Sequence, residues 1–291
     1  MKVLRLFDAP IITPESHPGV IEHEHGNVNG PSLIRAPDWL ANPLGRYYLY
    51  FAHHQGTFIR LAYADDLAGP WTLHEGGTLR LEQTPFKNHI ASPDLHIDEA
   101  NRRLIMFYHG CCVPETGFEQ ETCVAYSTDG LSFDSQTTFL TESYLRAFRW
   151  GDRWIGVAKG GRLYETRDIE QPWQRRGWLD YSGRHWAGWI DGDTWHLIYS
   201  RWGDAPEHLL YATVDLSKPG RWRLRNRVSL LRPELEWEGV DKPIEISLPG
   251  SVHEPVHELR DPDIFEEAGR RYLTYSIAGE AGLAIAELTL D

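Results

Sequence analysis

The feature that most constrains the fold of this chain is a degenerate internal repeat. Its clearest copy is RDPDIFEEAGRRYLTYSIAGEAGLAIAEL, near the end of the sequence. It reads as an apolar strand, a Gly-containing turn, an aromatic strand ending in Tyr-Ser, a loop, and a strand of small apolar residues. The first copy supplies GPSLIR, GRYYLYFA and IRLAYADD, then a turn running into Trp71. A second is ASPDLHIDEANRRLIMFYHG followed by ETCVAYSTDGLSF, and a fourth is RHWAGWIDGDTWHLIYSRWG followed by EHLLYATVDL and Trp222. Between them, LRAFRWGDRWIGVAKGGRLYETRDIEQPW is shorter but built the same way.

Five such units, recurring at roughly forty to seventy residues with three or four antiparallel strands each, predict an all-β fold, a five-bladed β-propeller. The blades are expected over roughly 29–80, 88–140, 142–180, 184–232, and 256–291 plus 1–14, as a single domain spanning 1–291. No long segment carries the i, i+3, i+4 apolar pattern of an amphipathic helix. The opening KVLRLFDAPIIT reads as a lone strand, whereas the last unit stops at AIAELTLD without an outer strand. The N-terminal strand is therefore expected to join the last blade, closing the ring and removing an edge open to pairing with other chains.

Composition narrows the function. The 29 basic and 42 acidic residues give a net charge of −13, which argues against a nucleic-acid surface. No run of apolar residues is long enough for a membrane span, and the N-terminus lacks the pattern of a signal peptide. Three cysteines, two of them the adjacent Cys111 and Cys112, make a poor disulfide framework. These features together predict a soluble cytoplasmic protein whose oligomeric state is left open. The 12 Trp, 13 Tyr and 10 Phe suit pleated, packed strands.

The units resemble the blades of the five-bladed propeller glycosidases, the superfamily that includes glycoside hydrolase family 43 and relatives acting on fructans, arabinans, xylans and agar-derived sugars. The likeness is carried by RDPDIF before GRRYLTYS, SPDLHID before RRLIMFYHG, and IRLAYADDLAGPW with its counterpart VAYSTDGLSF. It implies three channel carboxylates: an Asp general base, an orienting Asp and a Glu general acid. One carboxyl protonates the leaving oxygen while another, kept ionised, activates water. At the first-blade base position this chain reads Asn29-Gly30-Pro31-Ser32, and an amide is no base. Counted from the fifth blade instead, the resemblance assigns Asp261 as base, Asp94 as the orienting residue and Glu142 as acid, although Ser92, not Asp94, aligns with Asp261. His185 is a further catalytic candidate. Asn29, His54, His89 and Arg260 are candidates for holding hydroxyls, and Trp150, Trp186 and Trp202 offer faces for sugar stacking.

Fourteen histidines, several near first strands, are expected to converge at one end of the channel. No tight metal motif occurs. A cofactor is not required by this reading, which leaves open a cation held by oxygens, such as Ca²⁺, or a metal held by imidazoles. The expected activity is hydrolysis of a small oligosaccharide or glycoside in the central channel. One alternative is a His-dependent uronide lyase or hydrolase using His54, His89, His185 and Arg260; another is a glycan-binding propeller without catalysis.

Overall fold

The computed structural model describes residues 1–22, 25–111 and 119–289; His23 and Cys112 lie outside the described residues. The chain forms five antiparallel sheets arranged as a five-bladed β-propeller. The inner strands are Asn29–Arg35, Ile90–Asp98, Arg146–Trp150, Gly183–Asp191 and Arg260–Glu267 in blades 1 to 5. In blade 5 the N-terminal strand Lys2–Arg5 pairs antiparallel with Gly282–Thr289, placing Lys2 opposite Thr289 and Arg5 opposite Ala286. The ring closes as the sequence predicts. One boundary differs: Thr141–Glu142, expected to open blade 3, pairs with Gln120–Ser127 of blade 2.

The core explains the aromatic runs. In Tyr47–Ala52 of blade 1, Tyr47, Leu49 and Phe51 face blade 5, where they pack with Phe265, Tyr272 and Ile285. Tyr48, Tyr50 and Ala52 point the other way, onto Ile90, Leu95 and Met106 of blade 2. A strand with side chains alternating between two apolar faces reads as a continuous hydrophobic run. The same arrangement recurs around the ring, with a separate buried cluster between each adjacent pair of blades.

The Pro-Ser/Asp-apolar portion of the repeat fastens one blade to the next. The Leu33 amide donates to Asp263 Oδ2 at 2.9 Å, the Leu95 amide to Ser32 Oγ at 3.0 Å, and the Ala147 amide to Asp94 Oδ2 at 2.8 Å. Ser32, Asp94 and Asp263 all follow a proline, and each satisfies an otherwise unpaired buried N–H on the neighbouring inner strand. In blade 3, Arg146 takes this place and reaches back, donating to the carbonyls of Pro93 at 2.7 Å and Pro31 at 3.0 Å.

Candidate active site

Two residues before each fastening position lies the turn at which an inner strand begins. Gly30, Ser92, Tyr144 and Asp261 occupy it in blades 1, 2, 3 and 5, all with positive φ, at 57°, 49°, 59° and 47°. Three are not glycine, and strained backbone of this kind clusters at functional sites. Blade 4 places Arg184 there. Only one of the five positions carries a carboxylate. Blade 1 has no room for one: a Cβ on Gly30 would lie 2.8 Å from the Ser92 Cα. The absence of Asp at the first-blade position, visible in the sequence, thus has a steric cause.

Asp261 is 3% exposed. Its Oδ1 stands 3.2 Å from His185 Nε2, and its buried Oδ2 has no partner among the described residues. Burial, reinforced by Glu280, pushes its pKa up to about 6, against the opposing pull of Arg184 and Arg260. His185 is held well below the usual imidazole range, first by burial and then by Arg184 and Arg260. Tyr144 packs on His185 with ring centroids 4.9 Å apart, and on His109 at 4.3 Å. Burial and the nearby Asp261 raise the Tyr144 phenol, so it keeps its proton at neutral pH. Both ring nitrogens of the buried His109 lack a partner among the described residues, and burial holds this imidazole neutral.

A cavity of about 240 Å³ opens over this group, lined by His54, Gln120, Tyr144, Lys159, His185 and Trp202 among others. A second, of about 530 Å³, shares His54 and Gln120 with it and adds Asn88 and His89. Gln120 Oε1, Trp202 Nε1 and His185 Nδ1 are buried without partners among the described residues. Buried polar atoms left in this state are places where a polar ligand gains most.

Beneath the cavity lies a buried ion network. Arg260 pairs with Glu258, with Glu207 at 3.4 Å and with Glu280 at 3.3 Å. Arg184 meets Glu207 at 3.0 Å and Glu280 at 3.9 Å. Glu280 also accepts from Asn27 at 2.6 Å and lies 3.1 Å from His54 Nδ1. Burial alone would raise its pKa, but His54, Arg260 and Arg184 hold it well below the carboxylate range. Glu280 therefore stays ionised and favours a proton on Asp261.

The structure brings together Asp261, His185 and His54, with Arg260 beneath them. His89 lines the adjoining cavity, its pKa lowered to about 4 by burial and by His54. Asn29 is buried and donates to Asn27 Oδ1 at 3.1 Å. Others lie apart. Asp94 fastens blade 3 and is further engaged by His96 at 3.1 Å and Arg146 at 3.4 Å. Burial would raise its pKa, but His96, Arg146 and the Ala147 amide outweigh it and lower it. Glu142 is ion-paired with Arg162 at 2.5 Å and Arg175 at 3.8 Å, on outer strands of blade 3. Trp186 is a core residue, 1% exposed and stacked on Tyr199 at 4.4 Å. Trp150 packs on Trp222 with centroids 5.8 Å apart. Neither tryptophan lines the cavity; Trp202 does. Tyr144, Lys159 and Glu280 were not singled out in the sequence, because the first interrupts the Pro motif of the repeat and the others sit on strand connections. Among the described residues, no group of three His, Cys, Asp or Glu is arranged to hold a metal ion. No helix among them is long and apolar enough to cross a membrane.

Comparison with known proteins gives one close relative and many distant structural ones. An uncharacterized protein of Acanthamoeba polyphaga mimivirus is 33% identical over 300 residues, covering 90% of this chain and 83% of that protein. No family model matches. A glycoside hydrolase family 43 β-xylosidase/α-arabinofuranosidase from a compost microbial metagenome, solved with xylotriose, superposes with a TM-score of 0.64 at 13% identity, covering 99% of this chain and 96% of that one. An exo-1,5-α-L-arabinanase from a bovine ruminal metagenomic library gives 0.60 at 12% identity, with 92% and 95% covered. A putative glycoside hydrolase from Bacteroides ovatus gives 0.65 at 10%, with 99% and 96% covered. At these identities the likeness concerns the fold.

Proposed function

The chain belongs to the family of the uncharacterized mimivirus protein and carries the five-bladed fold of the family 43 glycosidases, and from that premise we propose that it cleaves glycosidic bonds, with Asp261 as the proton acceptor. The observation that carries this reading is the state of Asp261: buried, with one oxygen unpartnered among the described residues, a pKa of about 6, and His185 at 3.2 Å under a cavity of about 240 Å³. A base poised near the working pH combines the right protonation state with driving force for proton transfer.

Above pH 6 the ionised Asp261 takes a proton from water or from a sugar hydroxyl through its free Oδ2. Tyr144 flanks it, keeps its proton at neutral pH and is the group available to give one to the leaving oxygen, while His185, held neutral by burial, positions Asp261. Lys159, His54 and Trp202 orient the sugar. Glu142 and Asp94 have no part in this chemistry, because each is committed to cations or amides elsewhere.

The test is turnover of a panel of pentosides, hexosides and uronides by Asp261→Asn. Loss of at least about a hundredfold in kcat at unchanged thermal stability is expected; an undiminished rate would sink the assignment. A second reading, β-elimination on a uronide, is favoured by Lys159, which has no ion-pair partner within 4.0 Å among the described residues and could meet a sugar carboxylate. It predicts an unsaturated, ultraviolet-absorbing product, and saturated reducing sugar alone would reject it.

A further inference from the structure

Besides Tyr144 and Trp202 in the cavity lining, two further aromatic side chains stand exposed near it. Trp178, the last residue of the outer strand of blade 3, is 42% exposed, and Tyr181 in the connection to blade 4 is 72% exposed. Their ring centroids lie 5.3 Å apart with an interplanar angle of 37°, so the two rings form one shallow surface.

This surface is rigidly mounted. The Arg175 guanidinium lies over one face of Trp178 at 4.0 Å and is itself placed 3.8 Å from Glu142. The Leu179 amide donates to Gly161 O at 2.7 Å, and a Cβ on Gly161 would strike the Asp180 backbone at 2.4 Å, so the segment lies flat against that glycine. Asp180 holds Arg201 at 3.1 Å and Arg227 at 2.9 Å, and its Oδ1 accepts from the Ser182 amide at 3.0 Å. Exposure of two large aromatics on an anchored segment is not the by-product of a loose loop, and contiguous exposed apolar surface of this kind marks interaction sites.

The segment also adjoins the cavity wall. The Trp202 amide donates to Ser182 O at 2.9 Å, and Lys159, beside Gly160 and Gly161, stands 5.7 Å over the Trp202 ring. Trp202 and Lys159 both line the cavity. The aromatic pair is thus the outward continuation of the cavity wall between blades 3 and 4. Flat rings stack on the apolar faces of sugars while the surrounding Arg and Asp groups meet hydroxyls.

Resting on the reading of the cavity as a sugar site, we propose that Trp178 and Tyr181 form an outer stacking platform that holds a carbohydrate chain extending from the cavity, so that the ligand is an oligo- or polysaccharide and not a lone monosaccharide glycoside. The test is electrophoretic retardation of the full chain in native gels containing xylan, β-glucan or polygalacturonate, a readout that needs no turnover. The Trp178→Ala, Tyr181→Ala double variant is expected to lose retardation in the gel that slows the parent, with affinity falling about three- to tenfold per ring, while Trp178→Phe, Tyr181→Phe retains most of it. Free migration of the parent in all three gels, or equal retardation of parent and double Ala variant, overturns the platform. Running Asp261→Asn in the same gels separates the two claims. If that variant is retarded but fully active, the proposed base has failed and the platform stands; if it is inactive and its retardation is indifferent to the two rings, the reverse holds.

Discussion

Asp261 and Asp263 lie two residues apart in one strand, both buried and both with pKa values pushed up to about 6. They face opposite demands. Asp263 spends its Oδ2 on the Leu33 amide at 2.9 Å, with Thr274 Oγ1 at 3.4 Å, and so fastens blade 5 to blade 1. Asp261 has one oxygen without a partner among the described residues and faces an imidazole under a cavity. Residue type, burial and even pKa fail to separate a structural carboxylate from a chemical one. What separates them is the company each keeps: Asp263 is bonded to a backbone amide of blade 1, whereas Asp261 stands against the His185 imidazole.

The largest effect that tests this contrast is on catalysis. Asp261→Asn should lower kcat by about 10²–10⁴-fold, whereas Asp263→Asn, which keeps an acceptor for the Leu33 amide, should leave kcat within a few-fold, both checked by steady-state kinetics. Next is the loss of a fastening group. Asp94→Ala strips a buried partner from Arg146 and the Ala147 amide and should cost about 3–5 kcal/mol in denaturant unfolding, with the activity of the remaining folded protein retained. A third effect is on pH. Because the folded-state pKa of Asp263 is raised, the native state binds that proton more tightly. Its contribution is fully present below about pH 4 and is lost as pH rises through about 6, by about 2–3 kcal/mol. Asp94 and Glu280, with lowered values, act in the opposite sense, stabilising at neutral pH and losing that contribution in acid. Comparing Tm of the parent and Asp263→Asn at pH 5 and pH 8 isolates this contribution: the variant should gain more on the parent at the higher pH. The smallest effect belongs to Glu142→Gln, which breaks partly exposed ion pairs and should cost about 1 kcal/mol or less with kcat unchanged; a kcat loss like that of Asp261→Asn would restore Glu142 as the acid.

Much of the fold was legible. Period-two apolar runs, turn residues and the repeated Pro-Ser/Asp-apolar grammar report local backbone preferences and two-faced burial, which act over a few residues at a time. The unpaired strand at one end and the missing strand at the other made the ring closure readable as well. Asp261 was nameable as a candidate because the fifth repeat is the best preserved and its Asp precedes proline, and His185 because it sits at the start of the predicted inner strand of the fourth. Asp94 was misleading for a related reason: SPDL looks like RDPD, but its aspartate matches Asp263, the fastening residue, and not Asp261. The two positions lie two residues apart, one at the positive-φ turn that opens the strand and the other facing an amide of the next blade, and only the packed ring shows which is which.

By itself, then, the sequence determined the number of blades, the strand that closes them and the strand end that carries the unusual carboxylate, since each is written in local pattern. Tertiary structure alone decided which groups share the cavity. Tyr144, Lys159 and Trp202 in the cavity wall, and Glu280 in the ion network beneath, come from four different stretches of chain and meet because blades pack around an axis. It also decided that Glu142 is neutralised by Arg162 and Arg175, and that no side chain fits at Gly30, which abuts Ser92. Lone pairs, desolvation and close approach depend on neighbours distant in sequence, and only the closed ring supplies them.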